Sequence, residues 1–495
     1  MSRRLLQPFI LVCLAFASGA ASAVALNPRG VGQVLIYPYY TVNAGQDTLL
    51  TLVNTADTAK LVRVRFLEGY NGRTAFATYV FLSAHDVWTA AISEVADDGG
   101  AKIATADASC TYPPLAGGTE AFSDFDFAGA LADTGPTSIT RTREGSIEVV
   151  EAGDIVPGSA TETAITHAQN GLPGGGVPPC TFATGAGTQP IDLADLTPPT
   201  GGLYGSGAIV NVLQGTFFAY DATALDGFTD DVPVDDLRDY LEPSLDQAHS
   251  GESPATARAY VPVDGVGNVA LDFDNGIDAV SAVLMAPSLY NEFLIDPGLG
   301  ANTDWVVTFP TKRFYVDEDR YPHASGLPFV EPFGSTVAGQ SRLTFALTAW
   351  DREELSPEAS GCGFICPGQS PNNLPYEVNV YGFLNAGPGT PSGVLGSVLT
   401  FFYGDPPTLS ALGNEGWAYM DLFSSDGGHF LPGGTLSTGE GAIVHGLPVV
   451  GFMVYNVVNA NAQPGVLGNY GGAFAHRSAL GCFDMDGLVC PTVNP

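Results

Sequence analysis

Glycine and proline interrupt this chain too often for long helices: 61 glycines and 36 prolines are spread through 495 residues. Between them lie short apolar runs, many alternating with polar residues, the period of a strand with one buried face. In Leu61-Val62-Arg63-Val64-Arg65-Phe66 the alternation places Val62, Val64 and Phe66 on a core face and Arg63 and Arg65 on a solvated one. Runs at 34–40, 48–53, 76–82 and 87–92 continue the pattern, with Asn54-Thr55-Ala56-Asp57-Thr58 suited to a loop between antiparallel neighbours. With charged residues at only 14 per cent, the reading is an all-β chain of immunoglobulin-like β-sandwiches with long Gly/Pro-rich insertions and a few short helices.

The amino terminus has the form of a secretory signal: Arg3 and Arg4, an apolar run from Leu5 to Phe16, then Ala21-Ser22-Ala23. The run is too short to span a bilayer, and Val12 before Cys13 does not fit a lipoprotein signal. Cleavage after residue 23 sends a chain beginning at Val24 out of the cytoplasm, which disfavours ATP, NAD and other cytosolic cofactors. The expected location is extracellular, cell-surface or periplasmic.

Six cysteines follow the signal, an even set in an oxidising compartment. The simplest pairing is local, Cys362 with Cys366 and Cys482 with Cys490, leaving Cys110 to close on Cys180. A metal or redox centre would need C-x-x-C spacing or neighbouring histidines, and the six show neither.

The formal net charge is −34. Loss of Arg3 and Arg4 leaves 16 basic against 52 acidic residues, and such a field repels nucleic acid and anionic lipid and attracts cations. A mature chain of 472 residues exceeds a single core. The expected division is a signal at 1–23, an N-terminal sandwich at 24–228 carrying a disulfide-stapled insertion at 99–202, an acidic, partly helical linker at 229–300, and a C-terminal sandwich at 301–495. In the linker, Asp235 is placed to cap a helix carrying Leu237, Tyr240 and Leu241, and residues 280–285 and 289–294 read as short helices. Strands are expected at 305–309, 343–350, 376–383, 394–403, 416–423 and 449–458. No further apolar stretch is long enough for a membrane helix.

Motifs of catalysis are missing: there is no G-x-S-x-G elbow, H-E-x-x-H helix or P-loop. His85 beside Asp86 reads as a turn residue rather than half of an acid–base pair. Asp272, Asp274 and Asp278 around Asn275-Gly276 alternate as calcium ligands do, but the glycine falls one place too early for an EF-hand, and a strand end with an Asn-Gly turn explains the same letters. Asp484-Met485-Asp486-Gly487 is a shorter version. Lys312 and Arg313, in a chain with three lysines, read as a structural ion pair before an anion site. Trp88, Trp305, Trp350 and Trp417 all fall in expected strands, where core packing is the default and carbohydrate stacking the alternative.

Tyr37-Pro38-Tyr39-Tyr40, the run from Val62 to Gly69, and Thr303-Asp304-Trp305-Val306-Val307-Thr308-Phe309-Pro310-Thr311-Lys312-Arg313 resemble a family of uncharacterised secreted proteins of Gram-negative bacteria. The resemblance implies export and the order of domains, and it carries no functional residue. Together these readings point to a non-enzymatic β-sandwich protein acting by display, adhesion or assembly, with an envelope or extracellular protein or a glycan as partner. A secreted carbohydrate-binding protein or glycoside hydrolase is the rival, and a calcium-dependent module is the third reading.

Overall fold

The protein is all-β. The structure, a computed structural model, describes residues 23–96, 99–167, 176–182, 188–249, 256–321, 327–356, 372–383, 390–402, 413–424, 428–459, 462–466, 468–478 and 481–484, and a few single positions beyond. Residues 1–22 of the expected signal segment, Cys362, Cys366 and Cys490 therefore lie outside the described residues.

Three strands form the centre: Val34–Thr41, Lys60–Glu68 and Glu144–Ile155. Glu144–Ile155 runs antiparallel to both others, with Val149 opposite Val64 and Leu35. Every residue of the three is buried, so neither face of this sheet meets water. On one face Leu35, Tyr37, Val62, Val64, Phe66, Ile147 and Val149 pack on Leu50, Leu52, Trp88 and Ile92 of a facing six-stranded sheet. The expected core face of Lys60–Glu68 is thus in place, and the two sheets make a sandwich.

Four local readings change. Residues 99–202 are not merely an insertion, because they supply the central strand Glu144–Ile155. The Asn54–Thr58 loop does not close a hairpin: Asp47–Asn54 pairs with Val87–Glu94 and Leu203–Asn211, and Lys60–Glu68 belongs to the opposite sheet. Ser288–Leu294 is a strand, since its Leu289 and Phe293 turn inward while Tyr290 and Glu292 turn outward. Residues 229–300 do not form a separate linker; Ala257–Val263 and Gly267–Phe273 pair as a hairpin within the large sheet, and the buried helix Gly276–Leu284 packs beside them.

That sheet contains thirteen described strands and runs from Thr111–Tyr112 through the central trio to Cys482–Asp484. Val24–Leu26 sits inside it, between Thr223–Asp226 and Ala257–Val263. The C-terminal half adds a five-stranded sheet, in which Ala301–Thr308 lies between Val378–Gly382 and Val450–Val457. Ala301–Thr308 is also covered on both sides: Val306 joins the core of Val62 and Trp88, and Trp305 and Val307 join a second core around the Gly276–Leu284 helix. Sheet and cores are therefore shared between residues expected in separate N- and C-terminal sandwiches. A disulfide joins Cys110 to Cys180 with the Cα atoms 5.5 Å apart, and Cys482 is disulfide-bonded as well. Among the described residues, no helix is long and apolar enough to cross a membrane.

Candidate functional site

The second face of the central strands is charged. Alternation along Lys60–Glu68 turns Arg63 and Arg65 away from the apolar core, but onto covered ground: they are 4% and 3% exposed. Arg65 Nη2 donates to the carbonyls of Tyr240, Leu241 and Pro243 at 3.2, 2.7 and 3.0 Å, and Arg63 Nη2 to Tyr240 at 3.2 Å. The segment expected to be a helix from Asp235 is instead an irregular strap, whose carbonyls face these guanidiniums.

Opposite charges converge around them. Arg313 binds Glu148 and, at 2.9 Å, Glu377. Arg141 makes paired hydrogen bonds to Glu68 (2.6 and 2.9 Å) and to Asp133 (both 2.7 Å). Arg73 Nε lies 2.7 Å from Asp317, and Arg320 binds Asp126. At the far end Lys60 Nζ meets Glu151 at 2.6 Å and Asp154 at 2.5 Å, because an irregularity between Glu151 and Gly153 lets both carboxylates reach one ammonium. Burial pushes the carboxyls of Glu151 and Glu377 up to about 8, despite the cation beside each. Lys312 is not on a strand; it precedes the helical turn Arg313–Val316, donates to the carbonyls of Ser341, Leu374 and Tyr376, and burial pulls it down to about 7. The cavity among Arg65, Arg73, Arg313 and Arg320 measures about 10 Å³, room for roughly one water. This layer is an internal brace, too closed for a substrate.

The four tryptophans divide. Trp88 and Trp305 are fully buried, as core packing requires. Trp350 and Trp417 are on the outer face of the sheet made by Ser288–Leu294, Glu415–Asp421 and Thr344–Asp351. Registers place Glu292, Trp417 and Trp350 in one cross-strand row and Tyr290, Tyr419 and Thr348 in the next. The two indoles stack 4.3 Å apart, 17° from parallel, and Tyr290 and Tyr419 lie 6.3 Å apart and 12° from parallel. Trp417 is 45% exposed, while Leu289, Phe293, Phe345, Ala349, Ala418 and Met420 fill the inner face. Charged side chains rim the rings: Arg477 lies 3.4 Å from Glu292, and Arg352 2.5 Å from Glu415. Backbone pairing with Tyr290 holds Arg477 at the sheet edge. Chemically this is a shallow apolar strip with carboxylate and guanidinium groups at its borders.

The other sequence candidates separate from it. His85 is an exposed turn residue 2.8 Å from Asp57. Asp272 pairs with Arg258 at 2.6 Å, Asn275 caps the Gly276–Leu284 helix, and Asp278 accepts from Tyr315 at 2.7 Å, so these carboxylates do not converge. Asp484 ends a strand, and Met485 and Asp486 lie outside the described residues. The charged brace was missed from sequence, although opposite-sign residues on paired strands (Lys60, Arg63 and Arg65 against Glu148, Glu151 and Asp154) were its signal. No protein-family model, curated protein or solved structure matches the chain.

Proposed function

We propose that this is an exported, non-enzymatic protein of the cell envelope or extracellular space that works by adhesion, holding glycan on the aromatic strip around Trp417. The observation that carries this reading is the outward stacking of Trp350 and Trp417 on a sheet whose inner face is already filled. Trp417 leaves apolar ring surface uncovered, and its exposed part beside Glu292 suits the C–H face of a sugar ring. Glu292 and Arg477 would then take the hydroxyls through charge-assisted hydrogen bonds. The signal-like amino terminus, the likeness to secreted proteins and the Cys110–Cys180 disulfide support export. An immunoglobulin-like parent arrangement is supported by the two facing antiparallel sheets of residues 34–221.

Sedimentation with insoluble cellulose, chitin and purified peptidoglycan tests the reading. The mature protein should co-sediment with at least one of them, and Trp417→Ala should weaken that binding tenfold or more. Binding to none, or undiminished binding of the variant, overturns it.

A further inference from the structure

Away from the aromatic strip, Asp230, Asp231 and His249 bring their ligand atoms within 4.8 Å of one another. His249 Nδ1 lies 3.3 Å from Asp230 Oδ1 and 3.0 Å from Asp231 Oδ2. Both carboxylates thus gather around the same ring nitrogen. The spacing is close to the roughly 3.3 Å that separates ligands about 2.0–2.1 Å from a tetrahedral zinc ion.

The placement is built into the fold. The His249 N–H donates to Phe228 O at 3.0 Å, which ties the two ligand-bearing segments together. Thr229 is fixed in turn by both amide atoms of buried Gln33, each at 3.0 Å, and its hydroxyl accepts from Asp231 N at 3.2 Å. Asp231 and His249 line a cleft of about 430 Å³, whose walls also carry Asp246 and Asp274. The carboxylate-rich wall and the net charge of −34 both attract cations.

We infer that Asp230, Asp231 and His249 form a binding site for a divalent transition metal of the zinc class, open toward this cleft. An imidazole ligand favours zinc over calcium and magnesium, which prefer all-oxygen shells. With three protein ligands, water or an oxygen ligand would complete a tetrahedral set.

Isothermal titration of the EDTA-treated, dialysed mature protein with zinc chloride tests the assignment, with calcium and magnesium chlorides as comparison probes. One equivalent of zinc should bind per chain and raise the melting temperature, and both effects should fall at least tenfold in apparent affinity in His249→Ala and in Asp231→Asn. Asp231 is largely exposed, so its variant keeps the test valid if loss of His249 disturbs folding; melting both variants in EDTA checks this. Failure to bind one equivalent, full retention by both variants, or tighter binding of calcium than of zinc overturns the inference. None of these outcomes bears on glycan binding.

Discussion

The inner brace and the outer strip exchange the usual places of charge and tryptophan. Arg63, Arg65, Arg313, Glu148 and Glu377 are all less than 5% exposed, while Trp417 stands 45% exposed on a different sheet. Both sheets alternate faithfully, so alternation does not decide which side is wet. What decides is whether another part of the chain lies across the outer face. Over Lys60–Glu68 the covering groups are the carbonyls of Tyr240 to Pro243 and the side chain of Arg313. Once covered, a charge must be paired or become costly, and the network around Glu148 answers that demand. The outer strip faces the reverse problem, and its exposed rings make sense as a binding surface.

The largest effect should come from breaking the brace at its centre. Arg313→Ala strands the Glu148 carboxylate in the interior, removes the donor to Glu377 and should destabilise the fold by about 3–5 kcal/mol. Denaturant unfolding of the purified variant measures this; a loss under about 1 kcal/mol would show that water or a rearranged strap reaches the carboxylates.

Arg63 sharpens the same comparison. A solvated arginine would tolerate Arg63→Ala with a loss below about 1 kcal/mol, but this one lies against Tyr79 with its guanidinium carbon 4.6 Å from the ring centroid and donates to Tyr240. The expected loss is about 1–3 kcal/mol, still below the roughly 3 kcal/mol or more for Val64→Asp, which puts an unpaired carboxylate against the apolar core. A negligible loss for Arg63→Ala would place that face back in solvent.

Protonation gives a finer test. Glu377 has a folded-state pKa near 8, above the roughly 4.3 of an unfolded chain, so the folded state holds the extra proton between those values. Its contribution is complete below about pH 4 and is lost as pH rises through 8. Lys312, pulled down to about 7, works in the opposite direction between about pH 7 and 10, and buried His476, pulled down to about 4, does so between about pH 4 and 6.5, so the window from pH 5 to 7 is read as the difference between variant and wild type, in which both cancel. Glu377→Gln should make the melting temperature fall less, or rise more, across that window than in the wild type, the contributions of Glu151, whose carboxyl is also near 8, and of the other buried groups being common to both. Parallel profiles for variant and wild type would mean that Glu377 stays ionised beside Arg313.

Much of the strand pattern was legible because each half of an alternating run needs a different environment. Val62, Val64 and Phe66 had to be inside, and the runs holding Trp305 and Trp417 had the β-branched and aromatic content of strands. The covering of Arg63 and Arg65 was not legible, because their partners lie about 175 residues away in a segment with no strand pattern of its own. The strap from Asp235 has the polar cap and apolar spacing of a helix, yet its carbonyls accept from Arg65 and so serve a tertiary contact. The triad of Asp230, Asp231 and His249 was hidden in the same way: the histidine is 18 residues from the nearer aspartate, and a tertiary contact, with the Phe228 backbone, brings them together. Trp350 and Trp417 were legible as strand residues, but which way they faced depended on the filling of the inner face by Leu289, Phe293 and Met420.

The smallest stability effect belongs to the outer strip. Trp417→Ala removes one stacked contact with Trp350 and no buried charge, so unfolding should change by only about 1 kcal/mol while glycan binding falls tenfold or more. Thr348→Ala, on the same outer face beside Tyr419, is a control that should disturb neither quantity much. The contrast with Arg313→Ala separates the two regions by their currency, since one variant loses the fold and the other loses the ligand. If Trp417→Ala instead destabilised the protein by 3 kcal/mol or more, as deletion of a core aromatic does, the strip would be a covered surface like the brace and the glycan reading would lose its support.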